Sequence, residues 1–239
     1  MKIVTMTASL SLLLLATSCS SSEHPGPIYT KVLPGDLALH PERLRPHSIR
    51  YKKLSGSMYY EMDRVTIDDR SLYKLDIYFN SDGEGVPDSI YFDPETLGYS
   101  GRHLELQDYT IDVQFQDGYF TGNLIPAEGS NYDPVTYDKQ YEHGAFEPAV
   151  INYFIAALPL AEGYTASIPT FDLSNGSQIL WANIEVLGKE ILEIDGIQYN
   201  TWKVISDGIR QKTLWISEDV PYAIKMQTKG VFGTWEIDP

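Results

Sequence analysis

YTIDVQFQDGYFTGNLI, Tyr109 to Ile125, decides the fold class of this chain. Tyr109, Ile111, Val113 and Phe115 alternate with Thr110, Asp112, Gln114 and Gln116, so an apolar side chain recurs at every second residue. Successive side chains of a strand point to opposite faces, and a period of two therefore predicts a half-buried β-strand. Asp117-Gly118 comes next. That dipeptide tolerates the positive φ values of a tight two-residue turn and predicts a hairpin into a second strand, YFTGNLI.

The same design extends in both directions. Tyr73, Leu75, Ile77 and Phe79 alternate one hairpin earlier, and the strand pattern begins near Ser55. Towards the C-terminus, ILEIDGIQYNTWKVISDGIRQKTLWISEDVPYAIKMQTKG contains two more Asp-Gly pairs, Asp195-Gly196 and Asp207-Gly208, each read as a hairpin turn. Trp202 with Val204, Leu214 with Ile216, and Tyr222 with Ile224 and Met226 each mark one face of a strand. Pro221 is expected to open its strand, where a missing N–H costs least. The prediction is an antiparallel meander, without a repeat regular enough for a solenoid or propeller.

One stretch departs from this pattern. In FEPAVINYFIAALPLAEGY, Phe146 to Tyr164, the residues Phe146, Ala149, Val150, Tyr153, Phe154, Ala157 and Leu158 follow helical spacing. Pro148 suits a first helical turn and Pro159 ends it, so a helix is expected over about 146–158. Ile151 and Ile155 make it apolar almost all round, which marks a buried helix. At about 1.5 Å per residue it is too short to cross a bilayer core of roughly 30 Å. A loop-rich segment from about Pro126 to Ala145 precedes it.

The N-terminus, MKIVTMTASLSLLLLATSC, has the layout of a secretory signal over residues 1–18: Lys2, an apolar run from Ala8 to Ala16, then small residues. Leu15 to Cys19 resembles a bacterial lipobox, in which the cysteine is lipidated. Cys19 is the single cysteine, which suits a lipid attachment point better than a leftover thiol. Residues 19–54, rich in Ser, Pro and Gly at their start, read as a lipidated Cys and tether, partly ordered from about Ile28. The Ser-rich start with Glu23 resembles the surface-export signal of Bacteroidota lipoproteins. Residues 55–239 are then a single β-rich domain. The net charge of −15 disfavours nucleic acid and anionic headgroup surfaces as partners. Four Trp and seventeen Tyr argue for a packed core.

The line FEPAVINYFIAALPLAEGYTASIP, the strands containing Thr201-Trp202-Lys203-Val204 and Leu214-Trp215-Ile216-Ser217, and the upstream DSIYFDPETLGYSGRH together resemble a family of exported bacterial β-rich domains of unknown function. That family is similar in fold to LolA/LolB-type lipoprotein carriers and the RseB sensor domain. The resemblance implies a mainly β fold, an antiparallel half-open barrel or curled sheet closed by the buried helix, and it implies no catalytic residues.

Candidate sites are few. Asn80, Asp82, Glu84 and Asp88 stand at oxygen-ligand spacing with Gly85 at the turn, similar to a calcium loop, although Tyr91 occupies the position of the closing Glu. A polar hairpin turn explains the same letters. His24, His40, His47, His103 and His143 lack zinc-ligand spacing. Neither a nucleophile elbow nor a phosphate-binding glycine loop occurs, so no catalytic residue and no cofactor is expected. Phe146, Val150, Tyr153, Phe154, Trp181, Trp202 and Trp215 are the aromatic and apolar candidates for lining a ligand pocket, with core packing as the alternative. Trp215 is set against Leu214 and Ile216 on the opposite face, so its strand needs cover on both sides. The expectation is an exported, lipid-anchored envelope lipoprotein of the outer membrane, on its periplasmic face or at the cell surface. It binds or carries an apolar or amphiphilic ligand without catalysis. The alternative is a structural or interaction subunit of an envelope complex.

Overall fold

The computed structural model describes residues 27–53, 56–80, 82–173, 177–230 and 233–239. The signal segment and Cys19 lie outside the described residues. Among the described residues fifteen strands form one unclosed sheet. In chain order the first nine are β1 (Thr30–Lys31), β2 (His47–Lys53), β3 (Gly56–Ile67), β4 (Arg70–Tyr78), β5 (Asp88–Phe92), β6 (Tyr99–Glu105), β7 (Tyr109–Gln116), β8 (Tyr119–Pro126) and β9 (Val135–Gln140). After helix α1 (Ile151–Ala156) come β10 (Thr165–Asp172), β11 (Gln178–Ile194), β12 (Ile197–Ser206), β13 (Lys212–Ile216), β14 (Ala223–Thr228) and β15 (Gly233–Ile237).

Two antiparallel meanders, β2 to β9 and β10 to β15, are joined where β15 pairs with β2, and β1 adds in parallel to the outer side of β10. The hairpin Tyr109–Pro126 forms in the expected register, Gln116 opposite Tyr119. Asp117 and Gly118 have φ of 52° and 81°, and Asp195 and Gly196 have 51° and 81°, so both turns lie in the left-handed region that Asp-Gly favours. Asp68-Asp69 makes the same turn between β3 and β4.

Four boundaries differ from expectation. The helix is shorter than 146–158: a 3-10 turn at Pro148–Val150 leads into the six residues of α1, and Phe146 lies in extended backbone, bridged to Thr170. The 126–145 loop contains β9. Residues 47–53, assigned to the tether, form β2, paired on both sides within the sheet. Pro221 and Tyr222 precede β14 rather than opening it. Backbone partners across the sheet decide each of these, and local pattern does not display them.

The strand order forces the path of the helix. Strand β9 ends one side of the sheet and β10 lies next to the other, so the connection between them must cross from edge to edge. It does so through the concave side. Every residue of α1 is buried, and the helix packs on β13 and β14. Phe154 sets its ring perpendicular to Phe92 of β5 at 5.5 Å and lies 4.9 Å from Phe146. A six-residue helix is unstable alone in water, so burial of these side chains, about 1.5–3 kcal/mol for each large one, holds it.

The connection also draws the edges together. Tyr99 N–H donates to Ala145 O at 2.9 Å, Phe146 N–H donates to Pro169 O at 2.8 Å, and Phe171 N–H donates to Phe146 O at 3.2 Å. Phe171 of β10 meets Tyr99, Phe115 and Phe120 of β6, β7 and β8 at 5.1–5.4 Å between centroids. Strand β10 thus shares one aromatic cluster with three strands far from it in the sheet order, and the sheet curls without closing its ladder.

The C-terminal end of the helix is sealed. His40 N–H donates to Ala157 O at 2.8 Å, and Arg43 Nη1 donates to Leu158 O at 3.0 Å. The Tyr222 hydroxyl donates to Arg43 O and accepts from Arg45 N–H, while Tyr73 donates to Leu44 O. His47 packs on Tyr153 and Tyr222, and burial pushes its imidazole below the ordinary value. Phe171→Ala is expected to destabilise the chain by about 3–5 kcal/mol, because it empties the cluster that curls the sheet. Phe79→Ala, at an exposed side chain, should change stability by less than about 0.5 kcal/mol. Equal urea midpoints for the two variants would remove the clasp from this account.

Candidate functional site

The other end of the helix is open. Two cavities meet there, one of about 250 Å³ and one of about 720 Å³, and both are lined by Pro148, Ile209 and Arg210. The smaller one is floored by Met58 and Tyr60 of β3, Ala182 of β11, Met226 of β14 and Trp235 of β15, with Ala149 and Ile151 as its roof. The larger is a cleft over the inner faces of β6 to β9, lined by Leu104, Ile111, Leu124 and Tyr137, with Phe171 at its side. A cavity of a few hundred Å³ with apolar walls and few polar groups, as the smaller one is, has the usual form of a small-molecule site, whereas the larger adds Arg102, Asp133, Glu147, Asp172 and Arg210 to its walls.

The loop over these cavities follows from a turn that does not form. Asp207-Gly208 is not a two-residue hairpin, and neither residue has positive φ. Asp207 instead accepts from Asn183 N–H at 2.7 Å and from Asn183 Nδ2 at 2.9 Å. Its own N–H donates to Asn183 O. Clamped to β11, the chain carries Ile209 and Arg210 across the mouth before β13 begins.

Charged groups stand at the mouth on the core-facing side of their strands. Asp88 shares parity with Ile90 and Phe92, Arg102 with Leu104, and Lys212 with Leu214 and Ile216. Arg102 Nε and Nη2 donate to the two oxygens of Asp88 at 2.7 and 2.6 Å, and Nη1 donates to Glu147 Oε1 at 2.7 Å. Glu147 Oε2 accepts from Ala149 N–H at 2.8 Å. Asp88 and Glu147 are each 2% exposed. Burial pushes the Glu147 carboxyl above its ordinary value, and Arg102 offsets part of that. Every carboxylate oxygen of the triad already has a donor, so the triad fastens the crossing connection to the sheet. Lys212 Nζ donates to Pro148 O at 3.2 Å, and burial pushes its ammonium below the ordinary lysine value.

The residues singled out from sequence fall elsewhere. Phe146, Val150, Tyr153 and Phe154 are core, at most 1% exposed, and line neither cavity; their neighbours Pro148, Ala149 and Ile151 do. Trp181 lies under Lys31 Nζ at 4.5 Å and against His143. Trp202 donates to Glu218 Oε1 at 2.8 Å and lines a separate surface cleft. Trp215 lies on the outer face between its cross-strand neighbours Lys203 and Lys225, whose ammonium groups sit 5.3 and 5.5 Å from its ring centroid. Lysine stems therefore supply the cover that the second face needs.

In the calcium-like loop, Asn80 Oδ1 accepts from the N–H groups of Asp82 and Gly83, and Asn80 Nδ2 donates to Glu84 O at 2.8 Å. Those bonds make an Asx turn, and Asp88 points inward to Arg102 instead of joining the loop. Among the described residues no three His, Cys, Asp or Glu side chains converge as a metal site.

Arg102, Glu147, Arg210 and Lys212 were not legible as site residues from spacing motifs. For Arg102, Glu147 and Lys212 the signal was a charge on the apolar face of a strand, or one carboxylate within a greasy run, which requires a partner; Arg210, on the loop before β13, gave none. A family model described as protein of unknown function, DUF3108, matches residues 55–234. Neither a curated protein nor a solved structure matches the chain.

Arg102→Met strands two buried carboxylates and is expected to cost about 3–5 kcal/mol near neutral pH, in urea unfolding. The pH dependence of Glu147 has a definite sign. Its raised folded value means that the native chain holds a proton the unfolded chain releases. Its contribution is therefore full below about pH 4.5 and is lost as pH rises through the folded value. Glu147→Gln should flatten that part of the stability profile; an unchanged slope would remove the carboxyl from it.

Proposed function

The chain belongs to the DUF3108 family, and we propose that it is a non-enzymatic binding or carrier lipoprotein of the cell envelope that holds an apolar or amphiphilic ligand. The single observation that carries this reading is the pair of cavities meeting at Pro148, Ile209 and Arg210, under the open end of a helix whose other end is sealed. An apolar helix that filled the sheet completely would leave no such space. Here the helix fills one end and roofs the other.

The sequence supports the remainder of the proposal. The signal-like start and the lipobox-like Leu15 to Cys19 would place the mature chain on a membrane, as an exported outer-membrane lipoprotein. A curled sheet with an apolar plug is also the arrangement expected of LolA/LolB-type carriers and the RseB sensor domain, and a kinship in fold with them is part of this proposal. A role as an interaction subunit has one observation in its favour: Phe79 and Val86, exposed by 62% and 58%, lie in the loop between β4 and β5.

Full-length protein purified from its native membrane is expected to carry non-covalent apolar molecules, read by mass spectrometry of an organic extract. Ala149→Trp, which fills the smaller cavity, should lose them while keeping the wild-type far-UV spectrum, at a cost of about 1–3 kcal/mol. An empty wild-type protein would sink the carrier role and favour the interaction role.

A further inference from the structure

The smaller cavity is chemically one-sided. The chain carries a net charge of −15, yet the charged side chains lining this cavity are Arg210 and Lys212, without one acid. Lys212 reaches it from the core face of β13, opposite Ser206 of β12 and Thr228 of β14, whose side chains are polar but neutral. An ammonium has three N–H donors, and the hydrogen bond to Pro148 O uses one. Lys212 forms no salt bridge among the described residues. The acid that most affects it, Glu147, has its oxygens occupied by Arg102 and the Ala149 N–H. A half-buried cation without a bound carboxylate has lost part of its hydration, and an anion brought in by a ligand would offset that loss. Next to the two cations the wall is apolar: Met58, Ile151, Met226 and the half-buried ring of Trp235.

Resting on the binding role above, we infer that the ligand is a single-chain amphiphile with an anionic end, its carboxylate or phosphate held by Lys212 and its alkyl chain laid along Met58, Met226 and Trp235. The acidic exterior keeps the chain away from anionic surfaces, while the cavity selects the same charge on a single molecule. The loop from Asp207 to Gln211 supplies Arg210 and covers the entrance, and the clamp of Asp207 on Asn183 fixes its position.

The test is isothermal titration of the full chain with four probes that share one alkyl length: decanoate, decyl phosphate, 1-decanol and decyltrimethylammonium. The two anions are expected to bind roughly tenfold or more tightly than 1-decanol, as charge-assisted hydrogen bonds require, and the cation more weakly than 1-decanol. The tighter of the two anions identifies the head group as a carboxylate or a phosphate. Lys212→Met should lower anion affinity by a similar factor and leave 1-decanol unchanged, while Lys212→Arg retains the preference. Should 1-decanol bind the wild-type chain as well as the anions, the anionic head is overturned and the binding role stands. Failure of all four probes to bind would overturn the binding role together with it.

Discussion

The connection between β9 and β10 governs the rest of this structure. Its two strands lie at opposite sides of one long sheet, so the chain between them has to cross either the concave or the convex face. A segment as apolar as Phe146 to Leu158 has a strong preference for the concave one, since its exposure would forfeit about 1.5–3 kcal/mol for each large side chain. Once the helix is inside, the sheet must curl to cover it. The hydrogen bonds of Ala145 and Phe146 to Tyr99, Pro169 and Phe171 then hold the two sides of the curl together.

Entering the core from an edge exposes the crossing segment to a polar problem. Glu147 is carried into a buried position at the first step, and the sheet answers with Arg102, itself shared with Asp88. This triad uses charges on the core-facing parity of β5 and β6, where the meander otherwise places Ile90, Phe92 and Leu104. Such a pairing contributes little net stability over an apolar replacement, but it fixes where the connection enters. Lys212 occupies the same parity on β13, across the mouth, without a carboxylate bound to it. The difference between a satisfied triad and a lysine with spare donors separates the fastening of the helix from the cavity beside it.

Much of the architecture was readable from local chemistry. Alternation every second residue and Asp-Gly turns give antiparallel hairpins, because side-chain direction and positive φ are properties of neighbouring residues. The same logic failed at Asp207-Gly208, where a side chain found a partner on β11 that local pattern does not display, and at β2 and β9, whose pairing is long-range. The calcium-like spacing did not bring its four residues together, for the same reason. Asp88 belongs by sequence to the loop and by geometry to Arg102, fourteen residues further on.

Period, turn chemistry and the all-round apolar helix were therefore settled by residues within a few positions of one another: an antiparallel β-domain with one buried helix. Which strands became neighbours, where the helix stopped and which side chains faced the remaining space depended on contacts between residues far apart in the chain. The apolar residues that announce the helix, Tyr153 and Phe154 among them, are consumed by packing. The cavity falls instead to Ala149, Ile209, Arg210 and Lys212, brought to one mouth by three separate elements. Burial can be anticipated from hydrophobicity, but a gap in packing is set by the shapes that meet around it, and those are known only once the chain has folded.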